Sequence, residues 1–413
     1  LWGDSKISPA NGTGQKDRLT GGDGDDWIYA SHGKNTIDAG AGDDTIIAGN
    51  GIDQVWGDGK HSAADATART GNDTIYWTVG EGLDSVIDGG TGNDGIVVTG
   101  ADADTIIALS NNGSNIDLAW GATTLTLAGV EKYNLNAGTG VDIFTINDVS
   151  ANGVKEVSIS LGGAVTEITQ YDYNKDGTYN DTPPQMADGE GVLLFDSLGN
   201  PVYADVYADG TPVPYKVLKQ FTSDASADSV TIYGGAGSDT FSAATAVTSD
   251  GSWVLNMSRQ NPVGGATLTT YSVGQTGLAN DQLTLYTLGG NDNVDFKDVG
   301  KDRDGVEPQL IPLTLDTGAG NDLLIGSQWN DILISGEGDD RVSGSRGVDT
   351  FSDASGNDQL FESRDADFTI NRTTLTIGTV TEATISPFEE VLLTGGASAN
   401  IFNVSDWART LRM

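Results

Sequence analysis

Residues 317–340 read TGAGNDLLIGSQWNDILISGEGDD, and set in rows of nine the same residue types fall in the same columns. The rows TGAGNDLLI, GSQWNDILI, SGEGDDRVS, GSRGVDTFS, DASGNDQLF and a decayed ESRDADFTI start at 317, 326, 335, 344, 353 and 362 without insertion. Column six reads Asp322, Asp331, Asp340, Asp349, Asp358 and Asp367. Column eight reads Leu324, Leu333, Val342, Phe351 and Leu360, then Thr369. A matching block opens the chain, with rows GTGQKDRLT, GGDGDDWIY, ASHGKNTID, AGAGDDTII and AGNGIDQVW at 12, 21, 30, 39 and 48. Its column eight is Leu19, Ile28, Ile37, Ile46 and Val55. Self-similarity at a fixed short period restricts the fold to a stack of like units.

Each row supplies six residues rich in Gly, Asp and Asn, which make a turn. It then supplies three residues with a β-branched or large apolar member, which make a short strand pointing one side chain inward. Such a strand is unstable alone, so the rows must stack. Two rows make one coil with a strand on each side, and strands of successive coils pair in parallel at about 4.8 Å. Column eight becomes a thin apolar core. Column six becomes two aspartate ladders, one per edge, each with an 18-residue period. The expected fold is all-β: a parallel β-roll or β-helix solenoid, with degenerate middle turns and loop insertions.

Residues 57–67 interrupt the first block, and looser rows follow as ARTGNDTIY (68), VGEGLDSVI (79), GGTGNDGIV (89) and TGADADTII (99). The last three step by ten residues, which predicts slightly longer strands. Further on, GVEKYNLNAGTGVDIFTI (129–146) aligns with PFEEVLLTGGASANIFNV (387–404). ADSVTIYGGAGSDTFSA (227–243) and NDQLTLYTLGGNDNVDF (280–296) share that core: an acid, an alternating strand, a Gly-rich turn, Asp or Asn, and a second strand. Two of these follow related strand pairs, IIALSNNGSNIDLAWGATTLTLAG and FTINRTTLTIG. The resulting organisation is an N-terminal roll over 1–107, degenerate solenoid turns over 108–170, and an insertion over 171–226 with an acidic loop and a hairpin-like flap. Degenerate turns follow over 227–315, a C-terminal roll over 316–370, and a last set of turns over 371–413. The start, LWGDSKISPANG, lacks the basic and apolar stretches of a signal peptide, and the end, WARTLRM, reads as cut off. The chain reads as a segment of a longer protein.

Charge decides what the ladders need. The formal net charge is -38, carried mostly by Asp, and glycine numbers 57 of 413 residues. This excludes a helical bundle, and the field repels nucleic acid and anionic membrane. There is no Cys, hence no disulfide or thiolate metal site. No apolar run is long enough for a transmembrane helix. Carboxylates stacked a few ångströms apart require cations. A hard divalent ion with six or more oxygen ligands fits, and calcium suits irregular loops better than magnesium does.

GGDGDDWIY and GGAGSDTFS resemble the hemolysin-type calcium-binding nonapeptide, G-G-x-G-x-D-x-U-x, of RTX proteins. The resemblance implies a right-handed parallel β-roll that binds several Ca²⁺ ions, each between one row and the row 18 residues later. It implies carbonyls from positions two and four and the Asp of the first row. It adds carbonyls from positions one and three and the Asp of the second. Carried over, one site is Gly22, Gly24 and Asp26 with Ala39, Ala41 and Asp44. A second is Gly318, Gly320 and Asp322 with Ser335, Glu337 and Asp340. A third is Gly336, Gly338 and Asp340 with Asp353, Ser355 and Asp358. Asp331 with Asp349, and Asp349 with Asp367, follow the same rule. So do the column-six residues Asp53, Asp73, Asp84, Asp94, Asp104 and Asp239. Asn35 replaces the Asp of row 30 and weakens its sites, and Trp329 stands where row 326 expects Gly.

DYNKDGTYND (172–181) resembles the first half of an EF-hand or dockerin-type loop, with Asp172, Asn174 and Asp176 at ligand spacing. The twelfth position, where a bidentate acid belongs, is Pro183. Calcium ligation and a solvated Asp-Gly turn both fit. DSLGNPVYADVYADGTPVPY (196–215) reads as two extended arms, and KDRDGVEP (301–308) as a solvated insertion. His32 and His61 are the only histidines, and neither a zinc-protease motif nor a nucleophile elbow is present. Abundant carboxylates make any glycosidase pair uninformative. An ice-binding face would need a regular Thr column, whereas the second block has Ala319, Gln328, Glu337, Arg346 and Ser355 there.

The expected function is a non-enzymatic, calcium-binding, stiff spacer in an extracellular adhesin-like or surface-layer protein, secreted by a type I route and folded outside by calcium. Its partners are calcium ions and a polysaccharide or cell-surface ligand, without nucleic acid or membrane insertion. The alternative is a polysaccharide-binding or polysaccharide-processing β-helix, or an accessory region of a secreted RTX enzyme or toxin. Exposed aromatics on one face would favour it, with Trp27, Trp56, Trp77, Trp120, Trp253 and Trp329 as candidates.

Overall fold

The computed structural model describes residues 16–59, 69–82, 84, 86–101, 103–162, 164–171, 215–222, 227–247, 253–260, 268–274, 281–300, 311–382, 385, 388–407 and 409–413. Among them the regular structure is strand, apart from one 3₁₀ turn at Ser150–Asn152. Most strands fall into two long sheets, one of 13 and one of 15 strands. Successive rows alternate between them. Trp27–Tyr29 and Thr45–Ile47 lie in one sheet, while Arg18–Asp23, Thr36–Ala41 and Gln54–Trp56 lie in the other.

The register follows the 18-residue beat. Leu19 pairs with Ile37 and Ile37 with Val55, all in parallel. Ile28 pairs with Ile46. In the second block Leu324 pairs with Val342, Val342 with Leu360, and Leu333 with Phe351. This is the stacking expected of a parallel β-roll. Strands of the ten-residue rows are longer in part: Gly95–Thr99 spans five residues and Thr105–Asn112 eight, but Val86–Asp88 spans three.

Column eight forms the core. Ile28, Ile37, Ile46, Val55, Leu324 and Leu360 are fully buried. Each such aliphatic contributes about 1.5–3 kcal/mol by leaving water. Some residues beside them turn outward, as in Trp27 at 62% exposure, whereas Trp56 beside Val55 is buried, so each row has one or two inward side chains. Core volume is therefore thin per coil, and length compensates.

The middle coils keep the sheets continuous by an odd-numbered splice. Thr123–Ala128 runs parallel to Val86–Asp88, Asn115–Trp120 antiparallel to it, and Thr105–Asn112 parallel again, rejoining Asp142–Ile146. The other sheet does the same. Leu268–Gly274 joins Glu156–Ser160 in parallel, Trp253–Gln260 reverses, and Thr240–Val247 rejoins Asn293–Asp298 in parallel. Of the two strand pairs legible in the sequence, 106–129 lies in the first splice, and 368–378 is an antiparallel pair of a separate sheet.

The chain divides into a larger unit of residues 1–163, 223–246 and 253–413, and a smaller one of 164–222 and 247–252. Described parts of the smaller unit include an antiparallel pair, Ala164–Tyr171 with Tyr215–Thr222. In the larger unit a separate four-stranded sheet forms late, where Phe368–Ile370 pairs with Leu375–Ile377 and Phe402–Val404. Among the described residues no helix is long and apolar enough to cross a membrane.

Candidate metal centre

The turns between strands are held by their own aspartates. The N–H of Asp322 donates to Oδ1 of Asp340 at 2.8 Å, and that of Asp340 to Oδ1 of Asp358 at 2.9 Å. Upstream, Asp239 donates to Asp292 and Asp292 to Asp322, at 2.6 and 2.7 Å. In the first block the run is Asp26 to Asp44, Asp44 to Asp73 and Asp73 to Asp94, at 2.7, 2.8 and 2.7 Å. On the opposite edge Asn35 donates to Asp53 and Asp53 to Asp84, at 2.5 and 2.9 Å.

Using Oδ1 this way leaves Oδ2 for something else. The Oδ2 atoms of Asp44, Asp73, Asp94, Asp322, Asp340 and Asp358 are buried with no hydrogen-bond partner. A buried, unpaired carboxylate oxygen is costly. Desolvation raises Asp44, Asp322 and Asp340 to about 6, and Asp73, Asp94 and Asp358 to about 7. Neighbouring ladder carboxylates add to the rise, and the backbone N–H each one accepts opposes it. Such oxygens fit a hard cation. One group is already assembled: carboxylate oxygens of Asp340, Asp353 and Asp358 lie within 4.8 Å of one another.

Backbone carbonyls stack closely in the same turns. A Cβ on Gly336 would lie 1.7 Å from the Gly318 carbonyl oxygen, and one on Gly338 would lie 1.8 Å from that of Gly320. Both glycines have positive φ, 96° and 132°. The coils can therefore stack only where these positions lack a side chain. Gly318 O also accepts the Glu337 N–H at 2.8 Å, and Glu337 O accepts the Gly320 N–H at 2.7 Å. Each carbonyl keeps a second lone pair for an ion.

A periodic pair of carboxylates, one lone oxygen each, between glycine turns that present carbonyls is a calcium-site design. The family profile described as RTX calcium-binding nonapeptide repeat (4 copies) matches residues 11–46, 38–59, 222–245, 316–351 and 325–360. The chain carries RTX repeats. Comparison with curated proteins gives no match. RTX repeats bind calcium and are typical of secreted bacterial proteins, and the chain contains a calcium-binding repeat region. The residues present fit the ion: in each RTX pair the two aspartates would supply Oδ2 and the glycine-rich turns their carbonyls.

The structure places the expected residues unevenly. Asp26 with Asp44, Asp322 with Asp340, and Asp340 with Asp358 are joined across 18 residues, within the turns that contain Gly22, Gly24, Ala39, Ala41, Gly318, Gly320, Ser335, Gly336, Glu337, Gly338 and Ser355. Asp53, Asp73, Asp84 and Asp94 are buried on the two N-terminal ladders. Asp331 and Asp349 are joined at 2.9 Å, but Ser327 closes Asp331 within its own turn, its N–H on Oδ2 at 2.6 Å and its hydroxyl on Oδ1 at 2.8 Å. Trp329 at the glycine position is 5% exposed and packs beside Gly300. Asp367 is exposed and accepts the Ile401 N–H, while Glu362 takes the place 18 residues below Gly344. Asp104 is exposed too and accepts the Val141 N–H. Asp239 is closed by Gly235 and Arg259. Asp172, Asn174 and Asp176 lie outside the described residues, as do the 196–214 arms and the 301–308 loop.

Four features were not read from the sequence. Column five forms an outer ladder of opposite sense: Asp43 N–H donates to Asp25, Asn72 to Asp43 and Asn93 to Asn72. Asn321 donates to Asn291, Asp339 to Asn321 and Asn357 to Asp339 in the second block. The recurrent Asp-Asp and Asn-Asp dipeptides were its signal. Glutamates end two inner ladders, Glu131 accepting the Asp94 N–H at 2.8 Å and Glu389 that of Asp358 at 3.2 Å. These are the acids of the aligned motifs at 129 and 387. From the interruption of the first block, Asp58 reaches the Asp73–Asp94 turn, binding the Thr91 hydroxyl at 2.9 Å with Oδ1 buried and unpartnered. Finally, Asp353 brings its carboxylate to Asp340 and Asp358, beyond the carbonyl expected of it.

Proposed function

We propose that the chain is a calcium-folded structural segment of an extracellular, adhesin-like or surface-layer protein, working as a stiff spacer without catalysis of its own. The observation that carries this reading is the row of buried Oδ2 atoms without partners along the inner ladders. A fold that buries so many raised carboxylates is penalised until cations fill the gaps. Calcium that binds only the folded form then drives folding. Extracellular calcium modules typically bind at about 0.1–1 mM. Cytosolic calcium is far lower, so the roll stays unfolded before export by a type I route and folds outside. The polysaccharide reading finds less support: Trp56, Trp77, Trp120 and Trp329 are buried, and Trp27 is the strongly exposed one of the six.

The test is a calcium titration with far-ultraviolet circular dichroism and ion counting. Chelator is expected to remove most of the β signal and millimolar calcium to restore it, with several ions bound per chain. A spectrum indifferent to chelator would overturn the folding role. Hydrolysis of a glycan by this segment would overturn the non-catalytic one.

A further inference from the structure

The row 234–242, GGAGSDTFS, lies within a matched RTX segment and has glycine at positions one, two and four and Asp239 at six. It should bind calcium like its neighbours. Instead, its carboxylate holds a side chain. Arg259, 3% exposed, comes from the reversed strand Trp253–Gln260 of the splice. Its Nε donates to Asp239 Oδ1 at 2.8 Å, and Nη2 lies 2.8 Å from the same oxygen. Its Nη1 donates to Asp148 Oδ1 and, at 3.3 Å, to the Ser150 hydroxyl. Nη2 also reaches Asp148 Oδ2 at 3.3 Å. The other Asp239 oxygen accepts the Gly235 N–H at 2.8 Å. A Cβ on Gly235 would lie 3.0 Å from Arg259 Nη2, so the guanidinium sits against position two of the turn, where the repeat aims its ion. The Phe241 ring lies beneath it at 5.7 Å.

We infer that Arg259 is a built-in cation occupying the calcium position of row 234–242, so that the central coils fold without calcium and provide the end on which the C-terminal RTX ladder grows. The ladder starts at this residue: the Asp239 N–H donates to Asp292, and Asp292, Asp322, Asp340 and Asp358 follow in turn. A guanidinium is always charged and is tethered by its own strand, so its occupancy does not depend on any ion concentration. It bridges two carboxylates with paired hydrogen bonds, which oppose the cost of their burial, although burial still holds Asp239 above its ordinary value. Burial alone would raise Asp148, but the Arg259 hydrogen bonds and charge hold it below its ordinary value. Stacking nearest-neighbour repeats then needs no new nucleus at this end, because each coil adds to a formed edge. The inference depends on the calcium-folding reading only for the flanking rolls.

The experiment is hydrogen exchange by mass spectrometry on the whole chain, in chelator and in millimolar calcium. In chelator, amides of 229–233, 253–260, 268–274 and 282–286 are expected to stay protected, while those of 323–325, 331–334 and 341–343 exchange freely. Equal loss of protection in both groups would overturn the built-in cation. Equal protection in both would instead overturn the calcium reading of the rolls. Arg259→Gln should lose at least about tenfold protection in the central group in chelator and recover it in calcium, with one more ion bound per chain. A variant that keeps its central protection in chelator overturns the inference. If R259Q fails to fold in either condition, the variant combining it with Asp148→Asn and Asp239→Asn decides. With the Arg259 cluster uncharged, it should fold its centre in chelator, and failure to do so would assign Arg259 to packing.

Discussion

Replacing Asp340 by Asn separates the two jobs of a ladder carboxylate. The amide keeps an oxygen for the Asp322 N–H, 2.8 Å away, so the turn-to-turn bond survives. It loses the negative charge and the buried, unpartnered second oxygen. Without calcium the buried charge is a penalty. Desolvation raises Asp340 from 3.8 to about 6, and each unit is worth about 1.4 kcal/mol, which discounted for partial screening leaves about 1–2 kcal/mol. In chelator at pH 7.5, Asp340→Asn should therefore stabilise the 331–343 turns by about that amount. In calcium the sign reverses. Asp340 is shared by the sites on either side of it, and losing a direct ligand should raise the calcium midpoint at least about tenfold, the lower end of what even supporting groups cost. Hydrogen exchange reads the first effect and a dichroism titration the second. Asp367→Asn, at an exposed residue off the ladder, should move the midpoint much less. The reasoning fails if Asp340→Asn lowers protection in chelator and leaves the midpoint unchanged, for then the ladder would be a hydrogen-bond device alone.

Further outcomes follow from the same geometry. Asp44, Asp73, Asp94, Asp322, Asp340 and Asp358 are all raised by burial, so the ion-free fold binds more protons than the unfolded chain between pH 4 and 7. Ion-free stability should thus rise as pH falls from about 7 towards 4, while calcium affinity falls over the same range, checked by paired melts and titrations. Gly338→Ala places a Cβ 1.8 Å from the Gly320 carbonyl at a φ of 132°, and should cost about 3 kcal/mol or more in calcium-loaded denaturation. Asp331→Asn should shift the calcium midpoint less than Asp340→Asn, because Ser327 already closes the Asp331 carboxylate.

The parts legible in sequence were those written once per row. Column eight named the core, and the 18-residue pairing of Ile28 with Ile46 or Leu324 with Val342 followed from counting. Column six gave the inner ladder for the same reason. What counting could not show is what a carboxylate meets from outside its own row. Arg259 closing Asp239 and Asp58 arriving from an interruption depend on which strands the splice and the interruption bring alongside, whereas Ser327 closes Asp331 from within the same row. Asp367 had the right column, but Phe368–Ile370 leaves the long sheets for a small one, and the next coil passes elsewhere. The outer Asp and Asn ladder was visible as a dipeptide and overlooked, since residues of that kind in turns have a sufficient local explanation.

The odd-numbered splice has a consequence for how such a chain can vary. Thr105–Asn112, Asn115–Trp120 and Thr123–Ala128 add two strands beyond the one a coil requires, and the sheet leaves the detour travelling in its original direction. Any even number of extra strands would do the same. A sheet can thus gain a whole hairpin between two coils, or lose one, while the strands on either side keep their direction and parallel register. The stack has two units of growth: rows, which bring an aspartate turn with them, and hairpins, which add strands to one sheet without one. Hairpins are where such a stack could acquire local features without disturbing the ion-bearing turns.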